Sequence, residues 1–264
     1  MTSTLFNQAE KLLIMLDGIR FALTEDERRA SYRLRYKIYV ESMGRLKEKG
    51  NHMLKELRDQ YDEVARTVIA IKNGEPIGTL RVFWGGDITF SNSMKEVYPL
   101  DLFLQRLSEK DICVIERLMV EEHHRGSATA LRLYREVMKF VLDHKVEAVL
   151  IDCEPHHMNS YLKLGFRPCA ETYNYPGIGS VVPMVLITGD FMYLKEVGSP
   201  FTKLITKEDV GYCRRVDELR TLVKCKSRNV DFSMLYRNRI KTVNNVDNLN
   251  NKKMAARFKM RLSA

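Results

Sequence analysis

One stretch restricts the fold of this chain more than any other. Leu118-Met-Val120 is apolar and β-prone, and Glu121-Glu-His-His-Arg125-Gly126-Ser127-Ala128-Thr129-Ala130 is a polar turn rich in small residues. A helical pattern then runs from Ser127 to His144, and Val146-Glu-Ala-Val-Leu-Ile-Asp152 follows as a strand apolar enough to be central. Strand, helix and strand in such quick succession demand a sheet with a helix laid on it. Small residues at a helix start let the backbone approach a ligand closely. The first-turn N–H groups have no helical acceptor, and the helix dipole favours an anion beside them. Arg125 adds a planar charged donor. Such a segment is physically a phosphate cradle, and equally a packed turn with a solvated arginine.

The flanking sequence fills in the sheet. Met1 to Asp17 has apolar residues at helical spacing, and Ile19-Arg-Phe-Ala-Leu23 reads as a strand. Thr24-Glu-Asp-Glu27 is a capping-box pattern opening a helix that continues through Val40. Residues 44–62 are mostly charged and polar, which predicts an exposed segment. Arg66–Lys72 and Ile77–Phe83 flank Asn73-Gly74, a strong hairpin signal. A short helix falls within 93–107, a strand over 111–120, and a short helix over 157–164 leads to Gly165-Phe166. Two further β-type runs lie around Phe166–Tyr173 and Val181–Ile187, and 209–226 has helical character.

A second motif lies about thirty residues after the cradle. Pro155-His-His-Met-Asn-Ser-Tyr161-Leu-Lys-Leu-Gly165-Phe166 places a phenol on the last turn of a helix that Gly165 can end. Together the two motifs resemble the GNAT acyltransferase superfamily: Arg125-Gly-Ser-Ala128-Thr-Ala130 meets its loop pattern, with Ala128 where the first glycine belongs, and Tyr161 to Phe166 meets its Tyr-x-x-x-Gly-Phe ending. The N-terminal half resembles acyl-homoserine-lactone synthases through Leu34-Arg35-Tyr-Lys-Ile-Tyr39-Val40-Glu41, Asp59-Gln-Tyr-Asp62, Gly78-Thr-Leu-Arg81 and Val114-Ile-Glu116. Arg45 and Met119 depart from that pattern, and the Pro155–Phe166 segment is similar instead to the long-chain N-acyl amino acid synthases, the preferred match.

The resemblance implies a GNAT-like α/β (α+β) domain over 1–195, with a mixed, mostly antiparallel central sheet flanked by helices. A basic extension, partly helical or disordered, follows over 196–264. It implies transfer of a long-chain fatty acyl group from an acyl carrier protein or acyl-CoA thioester to the amine of an amino acid or similar small molecule, with no permanently bound cofactor. Three alternatives stand beside it: an acyl-homoserine-lactone synthase, an acetyl-CoA-dependent N-acetyltransferase, and a non-catalytic nucleic-acid or lipid-binding module.

The implied chemistry distributes roles. Glu116 is the candidate base, or the salt-bridge partner of Arg81 or Arg117; Tyr161 is the candidate acid for the leaving thiol, or a core aromatic. Arg81 belongs with them. Leu118, Met119 and Val120 supply backbone to the oxyanion and the pantetheine arm. Arg125, Gly126, Ser127, Ala128, Thr129 and Ala130 hold the donor's phosphate. Arg35, Tyr39, Asp59 and Asp62 either shape the acceptor side, arginine matching a carboxylate and aspartate an ammonium, or pin the N-terminal helix to the sheet. No metal is expected, since His156 and His157 beside Asp152 and Cys153 are crowded and unsupported by any other cluster.

Charge and cysteine usage set the surroundings. The chain carries +9 over 264 residues, yet residues 201–264 hold 16 Lys and Arg against 6 Asp and Glu, so the whole excess lies in the last quarter. That tail reads as a dock for an acidic carrier protein, as a contact with an anionic membrane surface, or as a solvated end. Its few aromatics argue against a nucleic-acid role. Five cysteines without a C-x-x-C pair fit a reducing cytoplasm, and the membrane reading of the tail would place the chain peripherally on the inner membrane.

Overall fold

The computed structural model describes residues 16–206 and 209–223. Most of the helix expected over 1–17, and the basic and Asn-rich sequence after 223, lie outside the described residues.

The expected mixed sheet forms, with eight strands among the described residues: β1 (Gly18–Phe21), β2 (Arg66–Lys72), β3 (Glu75–Trp84), β4 (Ile112–Val120), β5 (Ala148–Cys153), β6 (Arg167–Pro168), β7 (Tyr173–Tyr175) and β8 (Gly179–Ile187). Their order is β1-β2-β3-β4-β5-β8-β6, with β7 also on β8. Only β4 and β5 run parallel; the other pairs are antiparallel. The β2–β3 connection is the two-residue turn that Asn73-Gly74 announces. Both residues have positive φ, 54° and 75°, as the favoured hairpin turn requires.

Helices cover both faces: α1 (Glu25–Arg35), α2 (Asn92–Val97), α3 (Leu100–Leu104), α4 (Thr129–Asp143), α5 (Met158–Leu164), α6 (Phe191–Glu196) and α7 (Val216–Leu222). Side chains alternate along a strand, so Phe83 and Trp84 point to opposite sides. Phe83 packs with Met94, Leu100, Phe103 and Leu219 of α2, α3 and α7, whereas Trp84 meets Phe140 of α4 edge-on. Gly78 lets α4 sit close: a Cβ there would lie 3.1 Å from Leu133 and from Thr129. Thr24 caps α1 by accepting from the Glu27 amide (3.2 Å), while the Glu27 carboxylate accepts from Leu23 N (2.7 Å), one residue before the expected donor.

Three expectations are corrected. First, the helix placed at Ser127 starts at Thr129, because Ser127 Oγ donates to His124 O (2.6 Å) and accepts from Thr129 N (3.3 Å), acting as a local cap. Second, α1 stops at Arg35 and the chain widens into a π-helical segment, Tyr36–Ser42. Third, residues 44–62 are not merely exposed. Leu46, Glu56, Leu57 and Asp62 are buried, because the polar ones among them meet arginines of α1 and β3. The buried unit also continues past 195, through Phe201, Ile205, Leu219 and Val223.

Candidate active site

The site arises where β4 and β5 part. Their pairing ends at Ile115 and Ile151, so Glu116–Val120 keep β3 on one side and lack a strand partner on the other. β4 also carries a bulge: Arg117 and Leu118 oppose the single residue Leu80, with Arg117 at φ 53°. A left-handed arginine costs roughly 1–2 kcal/mol. The fold offsets this by pairing its guanidinium with Asp59. Bulges of this kind re-aim side chains and interrupt a ladder.

The gap between the strands is a cavity of about 480 Å³, within the usual size for a small-molecule site. Of the expected residues it brings together Tyr39, Glu116, Leu118, Met119, Val120, Arg125 and Tyr161. Apolar walls come from Ile38, Met43, Leu46, Ile115, Ile151, Ile178 and Val181. Met119 and Tyr161 therefore line one and the same cavity.

Glu116 sits one residue beyond the last β4–β5 pair. Its Oε2 accepts from Arg81 (2.5 Å) and its Oε1 from Tyr98 Oη (2.8 Å), so both oxygens are engaged. Tyr161 meets Tyr134 and Phe166 edge-on; Tyr134 Oη donates to Tyr161 Oη over 3.4 Å. Burial pushes the Tyr161 phenol up to about 12, which keeps it protonated and able to donate. Burial likewise pushes Tyr39 up. Gly165 ends α5 at φ 106°, as the sequence predicts, and Phe166 is fully buried beneath it.

The cradle is partly filled. The Thr129 amide is taken by Ser127, and the Thr129 side chain packs against β3. Arg125 turns back and donates to Val120 O (3.3 Å) while still lining the cavity. Gly126 is left-handed at φ 75°. Gly126, Ser127, Ala128, Thr129 and Ala130 adjoin the cavity without lining it, so an anion there would meet the remaining first-turn amides.

Arg35, Asp59, Asp62 and Arg81 lie beside the cavity rather than around it. Arg35 Nη1 binds Asp62 Oδ1 at 2.6 Å, with side chains 0% and 1% exposed. Arg81 Nη1 reaches Asp62 Oδ2 (3.1 Å) and Asp59 Oδ1 (2.7 Å). Burial pushes the Asp62 carboxyl up, but Arg35 and Arg81 pull it below its ordinary value; Asp59 follows the same pattern with Arg81 and Arg117. Sealed in this way, Arg35 and Asp62 cannot touch an acceptor in the cavity. Their geometry is that of the pinning network, which ties α1, the 59–62 turn and β3 together.

Several cavity residues carried no legible signal. Tyr98, Tyr134, Asp152, Glu154 and Tyr175 line it. Arg45 grips Glu154 with two contacts (2.9 and 3.1 Å), clasping the segment after α1 to the end of β5. Asp152 accepts from Tyr173 Oη (2.5 Å), and only its place at the end of a central strand could have singled it out. Burial drives the Cys153 thiol up to about 12, and its Sγ donates to Glu154 O, so it is a packing residue and not a thiolate. Among the described residues no group of three or more His, Cys, Asp or Glu is placed to hold a metal, and no helix is long and apolar enough to cross a membrane.

Known proteins resemble this chain in sequence and in fold. The family model for N-acyl amino acid synthase FeeM matches residues 30–190. L-ornithine N(alpha)-acyltransferase of Rhodobacter capsulatus is 29% identical over 136 residues, 49% of this chain and 52% of that protein, so the chain spans about half the length of that relative. The solved structure of BjaI, a CoA-dependent acyl-homoserine lactone synthase, aligns at a TM-score of 0.55 and 22% identity over 69% of this chain and 90% of that one. FeeM itself, from uncultured soil microbes, aligns at 0.53 and 15% over 72% and 98%. At these identities the two structures speak for the fold, which they share.

Proposed function

The chain belongs to the N-acyl amino acid synthase FeeM family, and from that premise we propose that it transfers a long-chain acyl group from a thioester to the α-amine of an amino acid. The observation that carries this reading is the open edge of β4 running along an apolar cavity to Tyr161. The amide-rich pantetheine arm pairs with Leu118–Val120 as an added strand would. The thioester carbonyl then lies at the bulge, where backbone N–H groups can meet the developing oxyanion. The acyl chain follows Ile38, Met43, Leu46 and Ile178, and Tyr161 protonates the departing thiolate. The phosphate of the arm takes the amides at the start of α4 together with Arg125.

The donor is an acyl carrier protein, with acyl-CoA as the alternative. Ala128 in place of a loop glycine weakens the fit to a diphosphate, and the basic sequence after 200 suits an acidic carrier. The name of the L-ornithine N(alpha)-acyltransferase relative supports an amino acid as acceptor.

The test has two arms. Mass spectrometry of lipid extracts from an expressing bacterium is expected to reveal an N-acyl amino acid. Purified protein is then given palmitoyl-carrier protein or palmitoyl-CoA with L-ornithine as the acceptor probe. A lactone in the extract points to a homoserine-lactone synthase instead, and no amide in either arm refutes the proposal.

A further inference from the structure

Of the three carboxylates that line the cavity, Glu116, Asp152 and Glu154, the first two stand where the central strands separate. Ile115 and Ile151 are partners across β4 and β5, so the next residues, Glu116 and Asp152, project from the same step of the parting sheet. Their surroundings differ. Glu116 is engaged by Arg81 and Tyr98 on both oxygens. Asp152 accepts from Tyr173 Oη on Oδ2 alone (2.5 Å), and its Oδ1 is buried with no hydrogen-bond partner among the described residues. A buried carboxylate oxygen without a donor is costly unless something fills the place.

We infer that Asp152 is the group that receives the acceptor's ammonium: a small turn of its carboxylate brings the buried, unpartnered Oδ1 to the cavity, where it takes a proton from the nitrogen while Tyr173 stays on Oδ2, with Glu116 remaining as the fixed anion of the Arg81 pair. The inference rests on the acyl-transfer reading above. It replaces the expectation that Glu116 is the base, because a carboxylate already shared by an arginine and a tyrosine must give up a donor before it can serve an amine.

The proton balance closes. One proton passes from the ammonium to Asp152 Oδ1, leaving a neutral amine. The nitrogen lone pair forms the C–N bond, the tetrahedral oxyanion collapses, and the C–S bond breaks with its electron pair on sulfur. Tyr161 gives its proton to the thiolate and recovers the second nitrogen proton. Asp152 then releases its own proton to solvent, so the net products are amide, thiol and one proton.

The groups facing Asp152 set its ionisation. Burial dominates and pushes it up to about 7, Tyr173 Oη opposes that, and the negative charge of Glu116 adds to it. Tyr98, Cys153 and Cys169 also sense its charge, but burial holds each of them protonated over the working range. A base ionising near the operating pH is the efficient choice.

The test is the pH dependence of kcat/KM for the full-length protein, with the palmitoyl donors and acceptor probe named above. Wild type is expected to gain activity as pH rises through about 7. Asp152→Asn is expected to lose roughly 10²-fold or more near neutrality, with donor KM unchanged. It should lack the limb near 7 and climb instead toward the amine's own ionisation. Tyr173→Phe keeps the carboxylate but removes the bond that favours its ionised form, so the limb should move to higher pH. Asp152→Asn within threefold of wild type, or Tyr173→Phe with an unmoved limb, overturns the assignment while leaving acyl transfer standing. Wild type that forms no amide with either donor overturns the acyl-transfer reading, and this inference with it.

Discussion

Asp62→Asn tests the pinning role that the geometry gives the charged network. Asp62 Oδ1 lies 2.6 Å from Arg35 Nη1 and Oδ2 lies 3.1 Å from Arg81 Nη1, with the Asp62 and Arg35 side chains at most 1% exposed. Removing one partner of a buried pair leaves an uncompensated charge, at a cost of roughly 3–5 kcal/mol. Arg35 already has Nε and Nη2 without hydrogen-bond partners among the described residues, so it has no second acceptor to turn to. For a unit of this size each kcal/mol shifts Tm by roughly 2–4 °C, which puts the expected drop near 6–20 °C. The pH dependence has a definite sign. The folded Asp62 carboxyl sits below its ordinary value, so its stabilisation is complete above about pH 4 and is lost as pH falls through the folded value. The variant should therefore lose most against wild type at neutral pH and converge with it in acid. Thermal unfolding followed by circular dichroism from pH 3 to 8 measures this. A Tm within 2 °C of wild type together with a raised acceptor KM would refute the structural role and restore the acceptor one.

Three further outcomes follow from the geometry. Gly165→Ala should cost roughly 2–4 kcal/mol, since a left-handed alanine at φ 106° would also place its Cβ 2.3 Å from buried Leu194; a lower urea midpoint at unchanged slope is the readout. Tyr161→Phe removes the proton donor beside the leaving sulfur but keeps the ring edge-on to Tyr134 and Phe166, so kcat should fall roughly 10²-fold with stability nearly unchanged; full turnover would assign the ring to packing alone. Because the buried unit reaches Val223, a truncation that tests the basic tail belongs after Lys224. It should slow turnover with the acidic carrier at low salt and leave acyl-CoA turnover unchanged; equal effects on both donors would refute steering.

Much of the architecture could be read in order along the chain. Asn73-Gly74 between two β-rich runs, the Thr24–Glu27 start and the Tyr161–Phe166 helix ending are local devices, and local devices work wherever the rest of the chain lies. The exact start of α4 escaped because Ser127 and Thr129 are both small hydroxylic residues. Which of them caps the other is a matter of backbone path. The 44–62 segment escaped for a related reason: charged residues read as solvated unless their partners are known, and those partners sit on α1 and β3. α6, Phe191–Glu196, passed unnoticed because six residues carry too little periodicity to register.

The sequence by itself determined the layered sheet, the strand–turn–helix unit after β4 and the tyrosine that faces it, because hydrophobic period, turn chemistry and helix ends are properties of neighbours in the chain. Only the tertiary structure decided which carboxylates are spent on arginines and which is left with a bare oxygen. Glu116 and Asp152 are both acids on apolar strands, and the sequence singled out only Glu116. Their difference is made by Arg81, Tyr98 and Tyr173, which come from three other parts of the chain, and a carboxylate's chemistry is set by the donors and the dielectric it finally meets.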